Sequence, residues 1–158
     1  MISGKAPEIG LTSLLGERIT LTDLLKSGPV LLAFYKVSCP TCQLAFPFLE
    51  RLHCGQKADG FQVVGISQDD SRATDEFNRT FGLTLTTLLD PPMEHSVRYP
   101  ASNAYQITNV PSLFLVEQDG QISESVNGFD KSELEKLGQR FGVQIFTPAD
   151  RVPAYRPG

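Results

Sequence analysis

The chain has 158 residues, 41% hydrophobic and 20% charged, which suits one core burying about two thirds of the unfolded surface and excludes a disordered polymer. A formal net charge of -4, with the 14 Lys and Arg scattered along the chain, leaves no basic face for nucleic acid. Three cysteines are too few for a disulfide scaffold and leave at least one thiol unpaired. No apolar run reaches the roughly 18 to 20 residues of a membrane span. The opening Met1 to Pro7 lacks the charged-then-apolar pattern of a leader. A cytoplasmic monomer is therefore expected from the sequence as written, or a periplasmic or other extracytoplasmic protein if a signal or anchor precedes it.

In chain order, Glu8 to Leu21 alternates loosely around Gly16 and predicts an N-terminal hairpin, followed by a helical turn at Thr22 to Leu25. Val30-Leu31-Leu32-Ala33-Phe34-Tyr35 is a continuous apolar run of strand length, the pattern of a central strand buried on both faces. After Lys36 to Ser38, the segment Gln43 to His53 has helical spacing at Leu44, Phe48 and Leu52 with Ala45 and Leu49 beside them, ending near Gly55. Phe61 to Ile66 predicts a second buried strand, and Asp69, Asp70 and Ser71 offer caps for a helix running to about Phe81. Leu85 to Leu89 reads as a short strand stopped by Asp90-Pro91-Pro92, and Pro100 to Tyr105 as a short helix. Leu113 to Glu117 and Gln121 to Val126 flank Asp119-Gly120, a hairpin signal. Asp130 with Glu133 resembles a capping box for a helix over Ser132 to Phe141. One domain over residues 1–158 is expected, with its core in about 4–142 and an extended, weakly packed proline-containing tail over 143–158. Strand, helix, strand, helix implies an α/β fold with parallel pairing.

Cys39-Pro40-Thr41-Cys42 carries the chemistry. Two cysteines with two residues between them, at the first turn of a helix after a buried strand, place both sulfurs at one side of the helix end, where they can close a small ring. Free N–H groups and the positive end of the helix dipole favour a thiolate at Cys39. Cys39 would attack a substrate disulfide and Cys42, one turn further in, would resolve the mixed disulfide. Pro40 stiffens the turn where a helix leaves its N–H unused. Val110-Pro111-Ser112 stands just before a strand, an awkward place for proline; a cis bond there would expose Val110 to pair with a substrate's extended chain.

These pieces together resemble the thioredoxin-like superfamily, nearest the TlpA/ResA type of thiol-disulfide oxidoreductases and the related alkyl hydroperoxide reductase/thiol-specific antioxidant (AhpC/TSA) group. The resemblance spans roughly Gly4 to Gly142. It is carried by Ala6-Pro7, the Cys-Pro-Thr-Cys run, Pro47 five residues after Cys42, Val64-Gly65-Ile66-Ser67, Tyr105 with Asn109-Val110-Pro111-Ser112, and Asp119-Gly120 before Gly128-Phe129. It implies a thioredoxin fold, a central mixed sheet flanked by helices with an N-terminal hairpin and an inserted strand-helix unit. It also implies a cis-proline at Pro111 and an exchange reaction with protein thiols and disulfides that needs no cofactor beyond the Cys39-Cys42 pair. Tyr35, Lys36, Pro40 and Thr41 would support the site. Two departures stand out: Ser38 occupies the place of the usual tryptophan, and Ala33 replaces the buried carboxylate expected on the preceding strand, so that Cys42 would lose its proton to water.

Other readings attach to the same residues. A zinc site would need about four ligands, and beyond the pair only His53, Cys54 and His95 are available, the first two adjacent and pointing apart. An inert pair or structural disulfide is a poor fit to a helix N-terminus. A peroxiredoxin would carry threonine three residues ahead of its reactive cysteine, where Lys36 precedes Cys39. A binding module would use the Val110-Pro111 groove without exchange. Cys54, about 120° round the helix from Cys42, is expected to be a small buried hydrophobe. Phe34, Tyr35, Phe46 and Phe48 are expected as core or rim packing.

Overall fold

In the computed structural model, which describes residues 1–57, 59–91 and 98–158, the hairpin forms as β1 (Gly10–Ser13) and β2 (Arg18–Thr20), with Leu11 opposite Ile19. Gly16 at its turn has φ 85°, a left-handed conformation that costs glycine nothing. Thr20 caps the short helix α1 (Leu21–Leu25) by accepting the Asp23 N–H. Then follow β3 (Val30–Tyr35), α2 (Pro40–Gly55), β4 (Gln62–Ser67), α3 (Ser71–Thr80), β5 (Thr86–Leu89) and α4 (Pro100–Ala104). The chain continues through β6 (Ser112–Val116), β7 (Ile122–Asn127), β8 (Phe129–Asp130), α5 (Lys131–Phe141) and β9 (Tyr155–Arg156).

Seven strands make one mixed sheet in the order β2-β1-β5-β4-β3-β6-β7. β3, β4 and β5 run parallel, as strands joined through helices do, while β1, β6 and β7 join antiparallel. This is the thioredoxin-like arrangement, with the N-terminal hairpin added at the β5 edge. The apolar run Val30–Tyr35 explains its central place through the period of two. Leu31, Ala33 and Tyr35 face the core under α2 and α5, and Val30, Leu32 and Phe34 face the opposite core with Ile66, Leu88, Tyr105 and Phe114.

On α2 the buried stripe Cys42, Ala45, Phe46, Leu49 and Leu52 repeats at three- and four-residue intervals and lies on the first of these cores. Phe46 sits 4.2 Å from the Tyr35 ring and edge-on to Phe77. The helix starts three residues ahead of the apolar periodicity because proline and a capping cysteine, neither of them part of the stripe, make its first turn.

The segment after α5 departs from the weakly packed arm that its prolines suggest. Gly142, at φ 77°, ends α5 in the left-handed region and turns the chain back. Ile145 and Phe146 are consequently buried, with Phe146 4.6 Å from Phe48, and β9 pairs with β8. Residues 147–149 and 153–158 keep the exposed character expected of a tail, while Val152 packs partly against the core. His95 and Pro92 lie outside the described residues.

Candidate active site

β3 delivers the chain to the edge of the sheet at Tyr35, and the turn over residues 36–38 reverses it into α2. That turn is closed by the Cys39 N–H donating to the Lys36 carbonyl at 3.1 Å. It is held from outside by Asp69, whose carboxylate accepts the Val37 N–H at 2.8 Å. Cys39 is the N-cap of α2, and its sulfur accepts the Cys42 N–H at 3.3 Å. A side-chain acceptor at this place satisfies one of the otherwise unpaired N–H groups of the first turn, and the helix dipole there is complementary to negative charge. Pro40, the first helical residue, has no N–H to leave unsatisfied. The Cys39 thiol also reaches the Val110 carbonyl, 3.4 Å away, and the Val110–Pro111 bond is cis. Cys39 is half-buried, Cys42 is fully buried directly beneath the first turn, and both are free thiols.

Burial pushes the Cys42 thiol far above the ordinary cysteine value of 9.0; the neighbouring Cys39 and Asp69 push in the same direction, and the Lys36 backbone opposes them. The core position where a carboxylate is expected is Ala33, fully buried. The carboxylate that Cys42 senses, behind the nearer Cys39, is Asp69, just past β4.

The raised value has a consequence for stability. Below pH 9 the Cys42 thiol is protonated in both folded and unfolded chains; above it the unfolded chain ionises while the folded one does not, so stability falls as pH rises. Burial likewise raises Tyr35 and Tyr105 from 10.0, adding to the loss at higher pH. Urea unfolding of the reduced protein at a series of pH values from about 8 to 10 is expected to give a declining stability whose slope flattens in Cys42→Ala. An identical slope in both proteins would contradict the burial of this thiol.

Of the other residues singled out in the sequence, Tyr35 lies within the core: it is fully buried, its hydroxyl donates to Asn78 at 2.8 Å, and its ring packs on Phe46 and Phe77. The Lys36 side chain is exposed and borders a shallow depression with Gln68, Asn103, Asn109 and Val110, and what meets Cys39 is its backbone carbonyl. Thr41 is buried, its hydroxyl donating to the Pro157 carbonyl at 2.7 Å. Cys54 is exposed, not buried: it stands on the outer face of α2, where its thiol donates to Glu50 at 3.1 Å, one turn back. The 120° rotation carries it past the apolar stripe and out to solvent. Asp69 escaped the sequence reading because an acidic residue ahead of a helix signals a cap, a role that falls to its neighbour Asp70.

The sequence profile of the AhpC/TSA family matches residues 2–125. The chain belongs to the AhpC/TSA family. Within that family it is 25% identical over 137 residues to thiol-disulfide oxidoreductase ResA of Geobacillus kaustophilus, covering 85% of this chain and 75% of that protein. It is 26% identical over 141 residues to ResA of Bacillus cereus, covering 88% and 78%. A crystal structure of a proposed thiol:disulfide interchange protein DsbE from Chlorobium tepidum superposes with a TM-score of 0.75 at 27% identity, over 89% of this chain and 95% of that one. This AhpC/TSA member is a thiol-disulfide oxidoreductase with the thioredoxin-like fold. Among the described residues no helix is long and apolar enough to cross a membrane.

Proposed function

We propose that the protein exchanges dithiols and disulfides of other proteins through Cys39 and Cys42, with Val110 and Pro111 orienting the substrate chain and no further cofactor. The observation that carries this reading is the position of the Cys39 sulfur, which caps α2, receives the Cys42 N–H and lies against the carbonyl of the residue before the cis-proline. In the reducing direction the Cys39 thiolate attacks one sulfur of the substrate disulfide. A Cys39–substrate bond forms, the substrate S–S bond breaks, and the second substrate sulfur leaves as a thiolate and takes up a proton. Cys42 then gives up its proton and attacks the Cys39 sulfur. The Cys39–Cys42 disulfide forms and the first substrate sulfur is released, so two electrons have passed from the protein pair to the substrate. Run in reverse, the same steps oxidise a substrate dithiol.

The buried Cys42 thiol sets the order of events. Held protonated by its surroundings, it does not compete for the first attack and becomes a nucleophile only once the mixed disulfide exists. Lys36, three residues ahead of Cys39, stands where the peroxidase reading needs threonine.

The test is a redox titration followed by tryptic mass mapping, together with insulin reduction. A Cys39–Cys42 disulfide is expected to form reversibly, at about -270 mV for a thioredoxin-like reductant or about -120 mV for an oxidant, and the protein is expected to turn over insulin with a dithiol donor. A pair that mild oxidants never join, with rapid consumption of peroxide in place of insulin turnover, would favour the peroxidase reading.

A further inference from the structure

The segment after α5 runs back to the dithiol, and its route has three parts. Its base is anchored on α2: Arg51 makes two bonds to the Asp150 carboxylate, at 2.8 and 3.1 Å, and donates to the Ile145 carbonyl at 3.0 Å. Its middle forms a two-residue ribbon, Asp130 opposite Tyr155 and Phe129 opposite Arg156, extended by the Lys131 N–H donating to the Ala154 carbonyl at 3.0 Å. Its last described residues lie over the site: the Pro157 carbonyl accepts the Thr41 hydroxyl between the two cysteines, and Gly158 lies so close to the Val110 carbonyl that a β-carbon there would have no room.

Two features make this a groove for an extended chain. Gly128, at φ 79°, leaves bare backbone facing the segment, where a β-carbon would come within 3.3 Å of the Pro157 Cα. On the segment's side the bonds are made by backbone carbonyls, Ala154 accepting the Lys131 N–H and Pro157 the Thr41 hydroxyl, so the segment is held irrespective of its own side chains. Residues 153–158 are exposed, so little apolar surface is sealed beneath them, and a ribbon of two residue pairs is marginal by itself.

We propose that Tyr155–Gly158 occupies the peptide groove beside Cys39 as an intramolecular competitor, which the extended chain of a protein substrate displaces in order to reach the sulfur. This rests on the exchange reading above, but the occupancy is measurable without it. Attachment through Asp150 keeps the segment at high local concentration, so a weak contact suffices to cover the groove. The substrate class that follows is a disulfide in a segment able to lie extended, with a small residue against Val110, and not one buried in a rigid helix.

The test uses a Cys54→Ser background, which removes the exposed thiol, and compares the full chain with a chain ending at Asp150 and with the full-length Gly158→Val variant. The shortened chain retains Ile145, Phe146 and the Arg51–Asp150 pair. Alkylation of Cys39 by a bulky maleimide is expected to speed up by about tenfold in both variants, with circular dichroism unchanged. A synthetic peptide of residues 151–158, added at about millimolar concentration, is expected to slow the shortened chain again. Equal alkylation rates in the full chain and in whichever variants remain folded, or no effect of the peptide, would overturn the proposal. Faster alkylation without insulin turnover by any form would leave the occupancy standing and remove the exchange reading instead.

Discussion

Cys42→Ser is expected to stop turnover while leaving the first chemical step intact. Serine keeps the shape of the buried side chain at a slightly smaller volume, and its hydroxyl does not displace sulfur from a disulfide, so the Cys39–substrate bond, once formed, has no intramolecular exit. Incubation with a disulfide-bonded protein should accumulate a mixed disulfide visible by non-reducing electrophoresis and intact mass, while the multiple-turnover rate falls roughly a thousandfold or more. In a Cys54→Ser background, which removes the exposed thiol, Cys39→Ser should lose the rate to the same degree and trap nothing, because the remaining thiol is fully buried and held protonated. An adduct forming through Cys42 in that variant would reverse the assigned roles.

The second large effect is on stability. Phe46 is fully buried between Tyr35 and Phe77 on the inner face of α2, one turn beyond Cys42. Phe46→Ala removes the ring and leaves a cavity that the flanking sheet residues, close-packed themselves, fill only in part, at a cost of about 3 to 5 kcal/mol. Against the roughly 5 to 15 kcal/mol that hold a domain of this kind together, that loss should bring the protein close to half unfolding in mild denaturant. A loss below about 1 kcal/mol by urea titration would mean that the aromatic cluster is not a packed core. Because the same helix carries both cysteines, the folded fraction of Phe46→Ala should also resolve mixed disulfides more slowly.

Much of this architecture is legible in the order of residues because its signals are local. The uninterrupted run Val30–Tyr35 can be buried on both faces only in the interior of a sheet, and the alternation of its side chains between the two cores realises that. Cys39 and Cys42 are recognisable because the spacing, the proline and the following helical stripe belong to one short segment. What escapes lies in contacts between distant segments. Cys54 looks like a core residue by composition, and only the seating of α2 on the sheet decides that its face is the outer one. The prolines of the last stretch suggest a loose arm, and nothing near them in sequence announces that Phe146 meets Phe48 or that Pro157 meets Thr41. The carboxylate missing at Ala33 has a partial counterpart in Asp69, 36 positions further on, which no spacing rule links to the dithiol.

That brace ties together the ends of two adjacent central strands. Asp69 follows β4, Val37 follows β3, and the bond between them spans the mouths of neighbouring parallel strands immediately ahead of the capping cysteine. Val37 stands two residues ahead of Cys39, so the β4–α3 corner helps to fix the turn that presents the capping sulfur. The capping sulfur is thus placed by two neighbouring strands and not by one alone.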